Sequence, residues 1–118
     1  MYWTQIDERM AGDVVIIDLR GRLTVSEESR PVADTVRRLL REGQTRIIVN
    51  LTHVTFIDSL GVGDIVRAYT AALRAGGALR LCGVNSRVRA VLVATQLVSV
   101  LTSFETEQLA LESFRGSD

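Results

Sequence analysis

The stretch Phe56-Ile57-Asp58-Ser59-Leu60-Gly61-Val62-Gly63 decides how the rest of the chain is read. Just before it, Arg46 to Leu51 holds Ile47, Ile48, Val49 and Leu51 with a single polar break at Asn50. A short apolar run of this kind reads as a strand buried on both faces. Just after it, a helix is expected from about Leu60 to Ala75, with Val62, Ile65, Val66, Tyr69 and Leu73 on its inner face and Gly76-Gly77 ending it. The quoted run therefore sits at a strand-to-helix junction and offers an acid, a hydroxyl and two glycines. In α/β sheets, ligands and partners meet the loops at the carboxyl ends of strands, and the N–H groups of a helix start favour negative charge. Ser59 in that place suits a phosphate. The same residues, Asp58 and Ser59, also read simply as favoured helix caps.

Working outward, Trp3 to Arg9 reads as an edge strand, Ala11-Gly12-Asp13 as a turn and Val14 to Leu19 as a β-branched strand, together an opening hairpin. Gly21-Arg22-Leu23-Thr24 closes that strand and leads into a polar loop with Glu27 and Glu28. Pro31 is tolerable only in a first helical turn, so a helix capped by Ser29 follows, with Val32, Val36, Leu39 and Leu40 as its apolar stripe and Gly43 as its stop. Arg37, Arg38 and Arg41 on the opposite face read as a solvated surface. Thr52 to Thr55 reads as a loop, with His53, the only histidine, on it.

Downstream, Ala78 to Val84 is a strand, Ser86 caps a helix of 87–95 with Val88, Val91, Leu92 and Thr95 on its buried side, Val98–Ser103 is a last short strand and Thr106 to Phe114 a terminal helix. Gly116-Ser117-Asp118 should fray. The order β-β-α-β-α-β-α-β-α implies one α/β domain over 1–118, with a mixed, mainly parallel sheet of five strands and four helices.

Bulk properties narrow the function. At 118 residues the chain is one domain by length, and 47% apolar residues are ordinary for a folded protein. Fourteen arginines balance fourteen acids, so the electrostatic footprint of a nucleic-acid binder is missing. The single cysteine, Cys82, excludes an internal disulfide and reads as a buried, inert thiol. No signal-peptide pattern opens the sequence, and no stretch approaches the roughly 18 apolar residues of a membrane span. The expectation is a cytoplasmic protein.

Enzyme chemistry fares poorly. Ile57-Asp58-Ser59-Leu60 lacks only the glycine of a Gly-Asp-Ser-Leu hydrolase signature, but a serine nucleophile needs a base. The sole histidine, His53, is a poor source of one, lying just upstream. Gly61-Val62-Gly63-Asp64-Ile65-Val66 begins like a dinucleotide fingerprint but has Val66 where the third glycine belongs. There is no lysine for a Walker-type loop and no Cys/His cluster for a metal. What is left is a serine acted upon. A phosphate on Ser59 would add about −1.5 to −2 charges beside Asp58, enough to disrupt a partner packed over Leu60 to Gly63.

The element order, Gly21-Arg22-Leu23 and above all Asp58-Ser59-Leu60-Gly61-Val62-Gly63 resemble the STAS domain of anti-sigma factor antagonists and sulfate-transporter tails, over residues 5 to 114. The resemblance implies a non-enzymatic, cofactor-free partner switch. In it the unphosphorylated protein binds an anti-sigma factor that is also a serine kinase of the histidine-kinase-like ATPase fold, releasing the sigma factor. The kinase phosphorylates Ser59 and a serine phosphatase reverses this. Asp58 would shape the site, Gly61 and Gly63 would admit the partner, and Leu60, Val62 and Gly21, Arg22, Leu23 and Thr24 would complete its surface. Antagonists often carry aspartate where this chain has Thr24, and serine or threonine where it has Leu60. The same fold also serves as a stressosome scaffold or as an accessory subunit of a lipid or anion transporter, without a phosphorylation cycle.

Overall fold

Ile47, Ile48 and Val49 form the centre of the molecule, each wholly shielded from solvent. They belong to the third strand of a computed structural model that describes residues 4–23, 25 and 29–115. Its elements are β1 (Thr4–Ala11), β2 (Val14–Leu23), α1 (Pro31–Arg41), β3 (Arg46–Ile57), α2 (Ser59–Arg74), β4 (Ala78–Cys82), α3 (Ser86–Ala94), β5 (Ser103–Phe104) and α4 (Glu107–Arg115). The sheet order is β1-β2-β3-β4-β5. β1 is antiparallel to β2, and every later neighbour is parallel. The opening hairpin, the alternation and the mainly parallel sheet are those expected from sequence.

Alternation along the strands divides the core. Val15, Ile17 and Leu19 of β2, with Ile47, Val49 and Leu51 of β3, pack beneath α1, α2 and α3. Val14, Ile16 and Ile48 face the other way, against Ala110 and Phe114 of α4. A strand dry on both faces must be apolar at consecutive positions, which is why 14–17 and 47–49 are unbroken runs.

Several boundaries differ from expectation. Residues 52–55 are strand rather than loop: β2 continues to Leu23, so His53 pairs with Arg20 and Val54 with Gly21. Register shifts between Asp18 and Arg20 and between Gly21 and Arg22 interrupt the ladder, and Gly21 takes a left-handed φ of 83° there. The buried residues of this segment are consequently Leu51, Val54 and Ile57, three apart rather than two, so no strand period is visible.

In α2 the buried stripe is Gly61, Val62, Asp64, Ile65, Ala68 and Ala72. Val66 and Tyr69 are only partly covered and Leu73 is 51% exposed, because the small residues bring the helix down onto the sheet along its other edge. The last strand shrinks to Ser103–Phe104, with Leu97 to Leu101 in turns and Val98 and Val100 exposed. α3 is capped by Asn85, whose Oδ1 accepts the Val88 N–H at 3.0 Å, leaving Ser86 as its first residue. Its buried residues are Val88 and Leu92 alone, with Val91 and Thr95 half-covered. The expected capping by Ser29 does not occur; Arg30 is the N-cap of α1 and makes no side-chain capping bond. Trp3, Glu27, Glu28 and the final Gly116-Ser117-Asp118 lie outside the described residues.

Candidate functional site

β3 runs straight into α2 with one residue between them, Asp58. That residue is extended, and its Oδ1 accepts the backbone N–H of Gly61 at 2.9 Å. One donor left over at the helix start is thereby satisfied by a carboxylate, which also complements the positive end of the helix dipole. Both sequence readings of Asp58 thus begin from a true cap. Ser59 is the first residue of α2 and is exposed, and its hydroxyl has no hydrogen-bond partner among the described residues. Leu60 follows with 62% of its surface in water, the most exposed large apolar residue among those described.

The glycines divide the work. A Cβ on Gly61 would lie 2.9 Å from the carbonyl oxygen of Leu23 and 2.9 Å from Ile57 Cγ1. Gly61 is therefore small for an intramolecular reason: the first turn of α2 rests on the ends of β2 and β3. A Cβ on Gly63 would meet nothing within 4 Å, so this glycine leaves open space on the surface. Of the two, Gly63 alone leaves space around its Cα.

Leu23 pairs with Ile57 in the parallel ladder, which brings the Gly21–Leu23 segment alongside the Asp58 junction. Arg22 stacks its guanidinium 4.1 Å from the Phe56 ring centroid, a cation–π contact on the neighbouring rung. Leu23, Gly61 and Val62 are buried beneath this surface. The accessible residues of the set are Ser59 and Leu60, with half-covered Asp58, Gly63, Gly21 and Arg22 beside them. Thr24 lies outside the described residues.

In the sequence, Asp64 stands out only as part of a dinucleotide-like run. Asp64 is fully buried on α2, where its Oδ2 accepts the Val32 N–H and its Oδ1 the Ala33 N–H, each at 2.9 Å. It supplies from α2 the cap that Ser29 does not give α1. The available sequence signal was a carboxylate on the inner stripe of a helix, one turn after Gly61, where an unpaired charge cannot stay.

His53, the only histidine, projects from β3 into solvent. Among the described residues no group of three or more His, Cys, Asp or Glu is placed to hold a metal, and no helix is long and apolar enough to cross a membrane.

Comparisons with known proteins agree with this architecture. The family model for the STAS domain matches residues 5–110. An anti-sigma F factor antagonist of Paenibacillus polymyxa is 29% identical over 112 residues, covering 91% of this chain and 92% of that protein. The crystal structure of TM1081 from Thermotoga maritima superposes with a TM-score of 0.79 at 25% identity, over 93% of this chain and 94% of that one. The anti-sigma factor antagonist SpoIIAA in its unphosphorylated form gives 0.77 at 24% identity over 97% and 99% of the two chains, and its phosphorylated Bacillus form gives 0.69 at 22% over 93% and 99%, likenesses of fold. By the extent of that match and the junction it contains, the chain belongs to the STAS domain family.

Proposed function

We propose that this STAS domain is an anti-sigma factor antagonist, a regulatory binding protein rather than an enzyme, that works by partner switching in the cytoplasm. Unphosphorylated, it binds an anti-sigma factor that is also a serine kinase of the histidine-kinase-like ATPase fold, and so frees the sigma factor. Phosphorylation of Ser59 ends that binding, and a serine phosphatase restores it.

The observation that carries this reading is the placement of Ser59: exposed, without a hydrogen-bond partner among the described residues, and set between a capping carboxylate and a leucine left in water. The N–H groups of the first turn partly offset an added phosphate within the protein. A partner lying over Leu60 and Gly63 would instead face about two new negative charges and their desolvation. A loss of about 3–4 kcal/mol is some two to three orders of magnitude in affinity, sufficient for a switch. The relative from Paenibacillus polymyxa, named as an anti-sigma F factor antagonist, supports the same assignment.

The test is incubation with ATP-Mg and a candidate anti-sigma factor serine kinase from the same organism, read by mass spectrometry, together with calorimetry of Ser59→Ala and Ser59→Asp. The expected result is one phosphate on Ser59, absent in Ser59→Ala, and much weaker kinase binding by Ser59→Asp. A Ser59→Asp protein that binds like wild type would point instead to a scaffold or accessory subunit.

A further inference from the structure

A second surface lies along the same helix. α1 and α2 pack side by side and leave an open groove of about 580 Å³ lined by Arg37 of α1 and by Val66, Arg67, Thr70, Ala71 and Arg74 of α2. Its lining joins apolar Val66 and Ala71 to three arginines. Arg67 and Arg74 form no ion pair among the described residues, though Arg67 lies within electrostatic reach of the buried Asp64 carboxylate, and Arg37 only reaches Asp34 at 3.9 Å, with its side chain about half exposed and that of Asp34 more so. A contact of that length and exposure contributes little. The last-turn position of Arg74 is explained by the helix dipole. The dipole explains neither Arg67 in mid-helix nor Arg37 facing it across the groove. In a chain whose formal charges balance, this is a local excess of positive charge around an apolar trough.

The groove is continuous with the Ser59 end of the helix. Leu60, Gly63, Arg67, Thr70 and Arg74 succeed one another at steps of three and four residues, and so form one face. At 1.5 Å per residue, that face is about 21 Å long from Leu60 to Arg74. It begins apolar and open and ends basic.

We propose that the α1–α2 groove is a docking site for an acidic amphipathic helix of a protein partner. Its apolar side would lie on Val66 and Ala71, and its carboxylates would meet Arg37, Arg67 and Arg74. The apolar residues in the lining favour such a helix over a small anion, which needs convergent donors and little else. The chain's zero net charge favours a protein over a nucleic acid. This extends the reading of α2 as the partner-facing helix, but the groove makes its contact away from Ser59. Phosphorylation and groove occupancy therefore act as separate contributions, one switching the contact and the other selecting an acidic partner and speeding its association.

The probe is a synthetic 14-residue helical peptide with leucines along one side and glutamates flanking them, added to the full chain and followed by backbone amide shifts. Saturable binding with shifts concentrated at Val66, Ala71 and Arg37 is expected, weakened about tenfold or more in Arg67→Glu/Arg74→Glu, as reversal of rim charges should give. Ser59→Asp should bind the peptide as wild type does, so this result stands or falls apart from the phosphorylation cycle. Thermal melts of the double variant, whose changes are both on exposed side chains, check that the fold is kept. The proposal is overturned if the peptide does not saturate, if a scrambled peptide of equal composition binds equally, or if a single-stranded oligonucleotide or a phosphatidylglycerol vesicle occupies the groove where the peptide does not.

Discussion

The carboxylate of Asp64 holds the start of a different helix: its Oδ1 lies 2.9 Å from the backbone nitrogen of Ala33, with Oδ2 at the same distance from Val32. Both donors belong to the first turn of α1, whose N–H groups have no partner within their own helix. Since Asp64 is five residues after Ser59 on the same helix, α2 and α1 are joined by a buried, two-toothed hydrogen-bonded clamp.

Asp64→Ala should therefore destabilise the fold by about 2–4 kcal/mol, since it leaves two buried N–H groups unsatisfied. Asp64→Asn keeps one acceptor but turns an NH₂ towards the other N–H, and should cost about 1–3 kcal/mol. Urea unfolding midpoints check both. An Asn variant as stable as wild type would show that only one of the two bonds matters.

How legible all this was depended on whether a residue's role was local. The two-faced strands at Val14–Ile17 and Ile47–Val49 were readable because burial on both sides leaves an apolar run in the sequence. Asp58 was readable because a cap lies next to its helix. Asp64 was not, because its partners Val32 and Ala33 are more than thirty residues away and are backbone groups, which leave no mark on residue type. The strand at Thr52–Thr55 was hidden by the shifts around Gly21, which belong to the neighbouring strand. The inner face of α2 was misjudged because Ala68 and Ala72 are buried by closeness to the sheet while the larger Leu73 is not.

Two aspartates should give opposite pH signatures. Asp18 accepts from Arg9 Nε at 2.7 Å and from Asn50 Nδ2 at 2.8 Å, and the Arg9 hydrogen bond, opposed by burial, holds its carboxyl below the usual aspartate range. A depressed native pKa gives stability that is present above the unfolded value, about 3.9, and is lost as pH falls through the native value. Burial pushes Asp64 the other way, against the pull of its two N–H bonds. A raised native pKa gives stability that is full below the unfolded value and lost as pH rises through the native one. In urea titrations across a pH series, the advantage of wild type over Asp18→Asn should shrink on acidification, and its advantage over Asp64→Asn should shrink on raising the pH. Parallel trends for the two would show that burial does not dominate at Asp64.

Cys82, the last residue of β4, packs with α4 at 1% exposure, and burial, with Glu107 and Asp18 adding to it, pushes its thiol up to about 11. Near pH 8 the thiolate fraction, and with it the rate of attack on a disulfide reagent, should be suppressed by about two orders of magnitude relative to a free thiol. One thiol per chain should react promptly only after unfolding in urea. Fast reaction of the native protein would mean that α4 opens readily from the sheet.

Gly61 and Gly63 should separate stability from binding. At Gly61 an added methyl meets a backbone carbonyl, Leu23 O at 2.9 Å, which cannot turn aside as a flexible side chain can. Gly61→Ala should lower stability by about 1–3 kcal/mol as the start of α2 is forced off the sheet. At Gly63 the methyl meets nothing within 4 Å, and the residue lies inside a helix without a left-handed φ. Gly63→Ala should accordingly stabilise by about 0.4–1 kcal/mol through the unfolded chain. Under the proposed partner contact, its position one turn beyond Ser59 puts that methyl beneath the partner, so the more stable protein should be the weaker binder, and Gly63→Leu weaker still. Thermal midpoints set beside affinities for the anti-sigma kinase decide this. If both Gly63 variants are stabilised and bind undiminished, the partner does not rest on this turn of α2.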